Sequence, residues 1–170
     1  LNEESVPKDA AAIIINAPQK DFNKNDAQKV IDYLQKGGKA IIVGMHSETE
    51  MPNFASILDT YGVSLTTGPI ADNDAQHYYN MGGPLYLLPN VNSSSYTGSL
   101  SGGYVYLPIS LGINYPQNST TDDTESTEES KTTYTSLLDT SDDAVAKNNP
   151  NSMQDYGYED GDDKGPFSVG

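Results

Sequence analysis

The chain has 170 residues, no cysteine and a formal charge of −15, because 24 acidic residues outnumber nine basic ones, all of them lysine. A surface this negative repels phosphate backbones and anionic headgroups, so the composition excludes nucleic-acid binding and membrane docking through a basic patch. The lack of cysteine excludes disulfides, thiolate nucleophiles and cysteine-based zinc sites.

The acidic residues are unevenly distributed along the chain. Residues 1–117 hold eleven acids and six lysines, whereas residues 118–170 hold thirteen acids and three lysines. The segment 118–133, NSTTDDTESTEESKTT, is too polar to bury much surface, and we expect a mobile acidic insertion there. We therefore divide the chain into an α/β core domain (1–117), the insertion (118–133) and a C-terminal part (134–170) that returns to the same core.

The N-terminal part has the pattern of a β-α-β unit. AAIIIN (11–16) and KAIIVG (39–44) are apolar, β-branched runs typical of parallel strands buried on both faces. Between them, Asn23 is positioned to cap a helix with Asp26 in the capping-box position, and the glycine pair 37–38 ends that helix. The two strands are therefore predicted to be parallel.

The next segments also have the patterns of a helix and a strand. A second helix is predicted over residues 52–61, with Pro52 in its first turn, and GVSLTTGPI (62–70) is predicted to be a third strand. We expect an α/β fold, a three-layer sandwich with a mainly parallel central sheet of the flavodoxin- or amidotransferase-like type. A β-rich acidic elaboration should follow, with strand-like runs at 84–91 and 102–113 and a short helix capped by Ser141 or Asp142.

Ligands of open α/β sheets bind at the carboxyl ends of the strands, which here are marked by Asn16, Gly44 and His46. His46 is interpreted either as a general base or ligand-orienting group, or as an exposed loop histidine. No G-x-S-x-G elbow, phosphate loop or G-x-G-x-x-G motif is present. We therefore predict ligand binding by Asn16, Gly44 and His46, and no catalytic residues.

Metal and cofactor signals are weak. His77 shows no metal-ligand spacing to His46, so neither a transition metal nor a cofactor is predicted. The acidic stretch YEDGDDKG (158–165) is interpreted as a solvated loop, with a weak calcium site as the alternative. The twelve tyrosines suit sugar stacking or protein interfaces, or simply reflect strand content.

Several segments together resemble a known family. VPKDAAAIIINAPQKDFNKNDAQKVIDYLQKGGKAIIV (6–43) resembles the opening of the auxiliary domain of gliding-motility-type ABC transporter proteins, which has a class I glutamine amidotransferase-like fold. MPNFASILDTYGVSL (51–65), GGYVYLPISLGI (102–113) and LLDTSDDAVA (137–146) are similar to its later segments. The family has no catalytic residues to transfer, and the cysteine on which amidotransferase chemistry depends is absent here.

The resemblance implies an extracytoplasmic domain that accompanies the membrane and ATPase subunits of an ABC-type export system. Since no apolar run reaches the roughly 20 residues of a membrane span, we expect anchoring to the cell membrane through segments outside this chain. The chain begins LNEESVP and ends GPFSVG, which we interpret as a piece of a longer protein. We predict a non-catalytic accessory domain acting by protein–protein or solute binding. The alternative is a hydrolase acting on carbohydrate or peptide at the strand ends.

Overall fold

The computed structural model describes residues 5–100, 102–116, 132–149 and 155–170. Its N-terminal part is the predicted β-α-β unit followed by a second helix: β1 (Ile13–Asn16), α1 (Lys24–Gln35), β2 (Ala40–Val43) and α2 (Pro52–Asp59). The two strands are parallel, in a register that runs from Ile13 opposite Ala40 to Asn16 opposite Val43. The order of these elements and the parallel pairing of the strands confirm the prediction for this part of the chain.

Helix α1 begins and ends where the sequence indicates. The Asn23 side chain accepts a hydrogen bond from the Asp26 backbone N–H at 2.9 Å, which caps the first turn. Gly37 follows the helix with a φ of +86°, a left-handed conformation that glycine adopts without strain. The buried face of α1 carries Ala27, Val30 and Leu34, which pack with Ile15, Phe54 and Ile57 in the first hydrophobic core.

Helix α2 is capped from a distant part of the chain. Its own N-cap residue, Met51, makes no side-chain capping bond. Instead the Asp21 carboxylate accepts hydrogen bonds from the backbone N–H groups of Asn53 at 3.1 Å and Phe54 at 2.8 Å. Asn53 Nδ2 donates to the same carboxylate at 2.8 Å. Asp21 therefore joins the loop before α1 to the start of α2.

The parallel strand pair is covered on one face alone. Ile14 is 70% exposed, Ile41 59% and Val43 44%, whereas Ile15, which packs toward the helices, is 8% exposed. The expectation of two strands buried on both faces is therefore wrong. Both helices of the described residues contribute to the core on the Ile15 side, which leaves the alternate side chains uncovered.

The following part of the chain is antiparallel. Its longest strand, β3 (Ser64–Asp72), lies in a four-stranded sheet in the order β10-β9-β3-β7. The strands after β3 are short: β4 (Tyr86–Leu87), β5 (Asn90–Val91), β6 (Leu107–Pro108), β7 (Leu111–Asn114), β8 (Leu138–Asp139), β9 (Ala144–Ala146) and β10 (Asp163–Lys164). Two further pairs, β4–β6 and β5–β8, are also antiparallel.

The predicted three-layer sandwich with a mainly parallel central sheet is therefore wrong. Within the described residues, β1 and β2 form the one parallel pair, and two α-helices are too few to cover both faces of a large sheet. Strand β3 does not extend the β1–β2 pair, because its hydrogen-bonded partners β7 and β9 come from later in the chain and run antiparallel to it.

Two further predictions concern the C-terminal part and the acidic insertion. The helix predicted after Ser141 or Asp142 is wrong, because Ala144–Ala146 forms the fully buried strand β9 beside β3. The predicted acidic insertion lies outside the described residues, except for its last two, Thr132 and Thr133. No helix in the described ranges combines the length and apolarity that a membrane crossing requires.

Strands β3 and β9 approach each other closely where β9 ends. A Cβ atom placed on Gly68 would lie 1.7 Å from the backbone oxygen of Lys147. The Lys147 N–H donates to the Pro69 oxygen at 2.9 Å, and the Gly68 N–H donates to Asn148 Oδ1 at 3.2 Å. Glycine at position 68 therefore lets the two chains meet, and the second hydrophobic core forms beside this contact around Ile70 and Ala146.

Candidate functional site

A polar cleft of about 630 Å³ lies along strand β5. We use the name polar cleft for the cavity lined by Gln76, His77, residues 88–93, Thr97, Gly98, Leu100, Gly102, Gly103 and Tyr104. Among the described residues, its lining contains no lysine, aspartate or glutamate, and His77 and the Tyr104 phenol are the titratable groups there. The cleft therefore offers amides, hydroxyls, backbone groups and one aromatic ring.

His77 is held at both ring nitrogens. Its Nδ1 lies 3.0 Å from Asp74 Oδ2, and its Nε2 lies 3.2 Å from Asn90 Oδ1. Since both neighbours present acceptor oxygens, the doubly protonated imidazolium satisfies both contacts, whereas a neutral ring satisfies one. Burial lowers the pKa of His77, but the bonds to Asn90 and Asp74 and the charges of Asp72 and Asp74 raise it above its ordinary value on balance.

The carboxylate beside His77 is fixed by the end of β3. Asp74 accepts a hydrogen bond from the Gln76 N–H at 2.9 Å, and with the bond to His77 this lowers the pKa of Asp74 despite partial desolvation. Asp72, which is fully buried, accepts from the backbone N–H groups of Asp74 and Ser141 and from the Ser141 hydroxyl. The position of His77 therefore depends on a network anchored in the core.

The opposite wall of the cleft is ordered by Asn92. Its Nδ2 donates to the Ser136 oxygen at 3.1 Å and to Asp139 Oδ2 at 2.6 Å, which ties the end of β5 to β8. Its backbone oxygen accepts from the Thr97 hydroxyl, and Thr97 Oγ1 in turn accepts from the Ser94 N–H at 3.0 Å. The start of the 97–104 loop is thus fastened to β5 by hydrogen bonds within the protein.

Tyr104 stands apart from the other tyrosines of this region. Tyr79, Tyr86 and Tyr106 contact one another, with ring centroids 6.0 Å apart in each of the two pairs that share Tyr106. Tyr104 lines the cleft and is 88% exposed. Among the described residues its ring has no aromatic or cationic partner and its hydroxyl has no hydrogen bond, so the whole ring face is accessible.

The three residues predicted from the strand ends lie elsewhere. Asn16 ends β1 opposite Val43, and Gly44 directly follows β2, so these two are neighbours at one end of the parallel pair. His46 Nδ1 lies 3.2 Å from the Thr67 oxygen of β3. Gly44 lines a separate, mostly apolar cavity of about 570 Å³ between the α/β unit and the antiparallel sheet. Asn16 and His46 line neither this cavity nor the polar cleft.

The polar cleft does not follow from the sequence predictions, in which His77 is weighed only as a metal ligand. One signal could have pointed to it, because residues 75–121 contain no aspartate, glutamate, lysine or arginine in a chain of charge −15. Such a stretch supplies amides, hydroxyls and aromatic rings without charged groups, which suits a neutral polar ligand. The hydrogen bond between His77 and Asn90 could not have been foreseen from spacing alone.

The acidic loop 155–163 is organised around a cation of the protein itself. Lys147 Nζ donates to Asp162 Oδ2 at 2.6 Å, to the Gly157 oxygen at 2.8 Å and to Glu159 Oε2 at 3.2 Å. Asp162 also accepts from the backbone N–H groups of Asn148 and Glu159. In the described ranges, no three acidic or histidine side chains are grouped so that they could hold a metal ion.

The chain matches no family model, no curated protein and no solved structure. Its function is therefore inferred from its own residues. In the polar cleft, the position that a nucleophilic hydroxyl would occupy beside His77 Nε2 is taken by the Asn90 amide oxygen. This arrangement can orient and hold a ligand, and among the described residues no hydroxyl is hydrogen-bonded to His77.

Proposed function

We propose that this chain is a non-catalytic binding domain and that the polar cleft is its ligand site. The observation that carries the proposal is the arrangement of His77 between Asp74 and Asn90, at 3.0 Å and 3.2 Å. Both ring nitrogens are used to fix the cleft wall, which is a binding rather than a catalytic arrangement. A concave cavity with an aromatic ring and a few positioned polar groups is typical of small-molecule sites.

The wider role that we propose is that of an accessory domain of an ABC-type export system. What supports it is the resemblance of residues 6–43, 51–65, 102–113 and 137–146 to the gliding-motility-type auxiliary domain. In this proposal the domain is extracytoplasmic and anchored through segments outside this chain. Its partners are the membrane and ATPase subunits of the exporter.

The binding proposal is tested with isotope-labelled protein and two sets of uncharged probes. The first set contains maltose, lactose and N,N′-diacetylchitobiose, and the second contains N-acetylated dipeptide amides with apolar or hydroxyl side chains. We expect at least one probe to shift the amide resonances of Asn90, Asn92 and Gly103 and to be recovered chemically unchanged. Turnover of a probe, or no shift in the cleft with either set, would overturn the proposal.

The accessory role is tested on the parent protein, tagged and solubilised gently from its native membrane. We expect an ATP-binding-cassette ATPase and its membrane subunit to be recovered in stoichiometric amounts with the parent. Recovery of the parent alone would overturn the accessory role, and it would leave the binding test unaffected because that test uses the isolated chain.

A further inference from the structure

We propose that the ligand of the polar cleft is a neutral saccharide that stacks on Tyr104 and receives hydrogen bonds from the side-chain amide of Asn90. This inference rests on the proposed binding function and adds the ligand class. It treats His77 as a positioning residue, because His77 acts on the ligand through Asn90.

The charge pattern selects a neutral ligand. The cleft is lined by no carboxylate and no lysine, and the rest of the chain carries the −15 charge that repels anions. The cationic form of His77 is compensated by Asp74 at 3.0 Å, so no unpaired positive charge is left to attract an anionic group. A saccharide presents uncharged hydroxyls, which both donate and accept hydrogen bonds.

Tyr104 supplies the surface that a sugar ring requires. One face of a pyranose ring is formed by C–H groups, and it packs on the flat, apolar face of an aromatic side chain. Tyr104 is 88% exposed at the cleft, and it follows the pair Gly102–Gly103, which contributes no side chain that could cover the ring. In contrast, Tyr106 is already engaged by Tyr79 and Tyr86.

Asn90 supplies an oriented hydrogen-bonding group. Its Oδ1 accepts from His77 Nε2 at 3.2 Å, and its Nδ2 makes no hydrogen bond to another described residue. Because the amide oxygen is held by His77, the position of the amide nitrogen is also fixed, and its two N–H groups are available as donors. Hydroxyl oxygens of a saccharide are suitable acceptors for those donors.

The backbone around the cleft favours a saccharide over a peptide. An extended peptide bound by strand addition requires a run of unpaired backbone groups along a strand edge. Strand β5 pairs with β8 along one edge, and its other edge spans two residues, Asn90 and Val91, which is too short a run for strand addition. The facing loop contains a 3-10 turn at Gly98–Leu100, and its described residues up to Tyr106 form no strand. Ligand recognition therefore depends on the side chains of the cleft and not on backbone hydrogen bonds of the strand-addition type.

The test is a titration of the labelled chain with maltose, lactose and N,N′-diacetylchitobiose, with the blocked dipeptides as the comparison. We expect a saccharide to shift the side-chain amide of Asn90 and to be bound about tenfold more weakly by Tyr104→Ala, the effect of losing one aromatic stacking surface. The matched control is Tyr96→Ala, since Tyr96 is 79% exposed and does not line the cleft. Its affinity should equal that of the unaltered chain.

A second variant tests the role of Asn90 without removing its bond to His77. Asn90→Asp keeps an acceptor oxygen for His77 Nε2 but has no amide donors, so we expect saccharide binding to fall at least tenfold while the pKa of His77 rises, because a carboxylate replaces a neutral amide beside it. Binding that survives Tyr104→Ala and Asn90→Asp would overturn the proposal. Binding of blocked dipeptides but no saccharide would overturn the ligand class and leave the binding function standing. Silence of both probe sets would overturn both.

Discussion

Lys147 Nζ lies 2.6 Å from the carboxylate of Asp162, and neither side chain is exposed to solvent. All three ammonium protons have acceptors, because Gly157 and Glu159 complete the set. A buried lysine is stable only when it is paired and hydrogen-bonded, and this one is. The acidic composition of residues 155–163 therefore has a structural role, since it encloses the end of β9.

Removing the charge of Lys147 should destabilise the fold strongly. We expect Lys147→Met to lower the free energy of unfolding by about 3–5 kcal/mol, because Asp162 is left buried without its partner. Urea unfolding measures the change, and Lys20→Met, at an exposed position, is the control. The double variant Lys147→Met/Asp162→Asn should recover part of the loss. A double variant no more stable than the single one would show that the ion pair is not the cause.

The same pair should give the fold an acid-sensitive component. Burial raises the pKa of Asp162, but the bond from Lys147 and the backbone N–H groups of Glu159 and Asn148 lower it below its ordinary value of 3.8. A depressed folded-state pKa contributes stability above the unfolded value and loses it as the pH falls through the folded one. We expect the free energy of unfolding to drop below about pH 4 in the unaltered chain and less in Asp162→Asn. An equal drop in the free energy of unfolding at low pH in the two proteins would contradict this role of Asp162.

Asp21 should matter more than its loop position indicates. Its carboxylate accepts from the N–H groups of Asn53 and Phe54, and it provides the side-chain cap that Met51 does not. We expect Asp21→Ala to cost about 1–2 kcal/mol, the upper part of the range for a lost helix cap, because it also separates two segments. Thermal unfolding of Asp21→Ala is compared with that of Asp9→Ala, an exposed acid outside the helices. Similar midpoints for the two variants would argue against a capping role.

Gly68 should not tolerate a side chain. A Cβ there would lie 1.7 Å from the Lys147 oxygen, so Gly68→Ala forces β3 and β9 apart. We expect a loss of about 1–3 kcal/mol or more, as for overpacked cores. Gly98→Ala is the matched control, since its Cβ would meet nothing within 4 Å. Urea midpoints of the two variants separate a steric effect from a general glycine effect.

His77 should titrate above its ordinary range. Burial lowers its pKa, whereas Asn90, Asp74 and Asp72 raise it on balance. A raised folded-state pKa stabilises the fold below the unfolded value of about 6.5, and that stability is lost as the pH rises through the folded value. Asp74→Asn should lower the pKa of His77, as followed by NMR of the ring C–H resonances. Asp59→Asn, on the exposed end of α2, should leave the pKa of His77 unchanged. An equal change of this pKa in both variants would contradict a specific effect of Asp74.

Local signals predicted the first sixty residues well. The cap at Asn23, the stop at Gly37 and the apolar spacing of α1 are properties of neighbouring residues, so the sequence displays them directly. The direction of β3 is not such a property. A strand run specifies neither its partner nor its orientation, and here both partners follow much later in the chain. The expectation of a parallel sheet is wrong because it assumes that β3 continues the parallel pairing of β1 and β2.

The polar cleft differs from the site predicted at the strand ends for a related reason. Asn16, Gly44 and His46 follow from a rule for doubly wound sheets, and the described residues do not form one. The polar cleft joins His77 to Asn90, and the loop that completes it, at Gly98 and Tyr104, is irregular. Periodicity cannot reveal such a site. The uncharged stretch 75–121 marks the region but not the geometry.

The pairing of β3 with β9 also has a consequence for the order of folding. Ile13 meets Ala40 across one helix, so the β-α-β unit can form as soon as that stretch has left the ribosome. Ile70, by contrast, cannot pair with its partner until Ala146 has been synthesised. Asp72 likewise cannot accept its hydrogen bond from the Ser141 N–H until Ser141 has been synthesised. Until then β3 exposes an apolar strand edge to any other unpaired strand nearby. During synthesis, the interval between these two events is when the nascent chain most needs protection from aggregation.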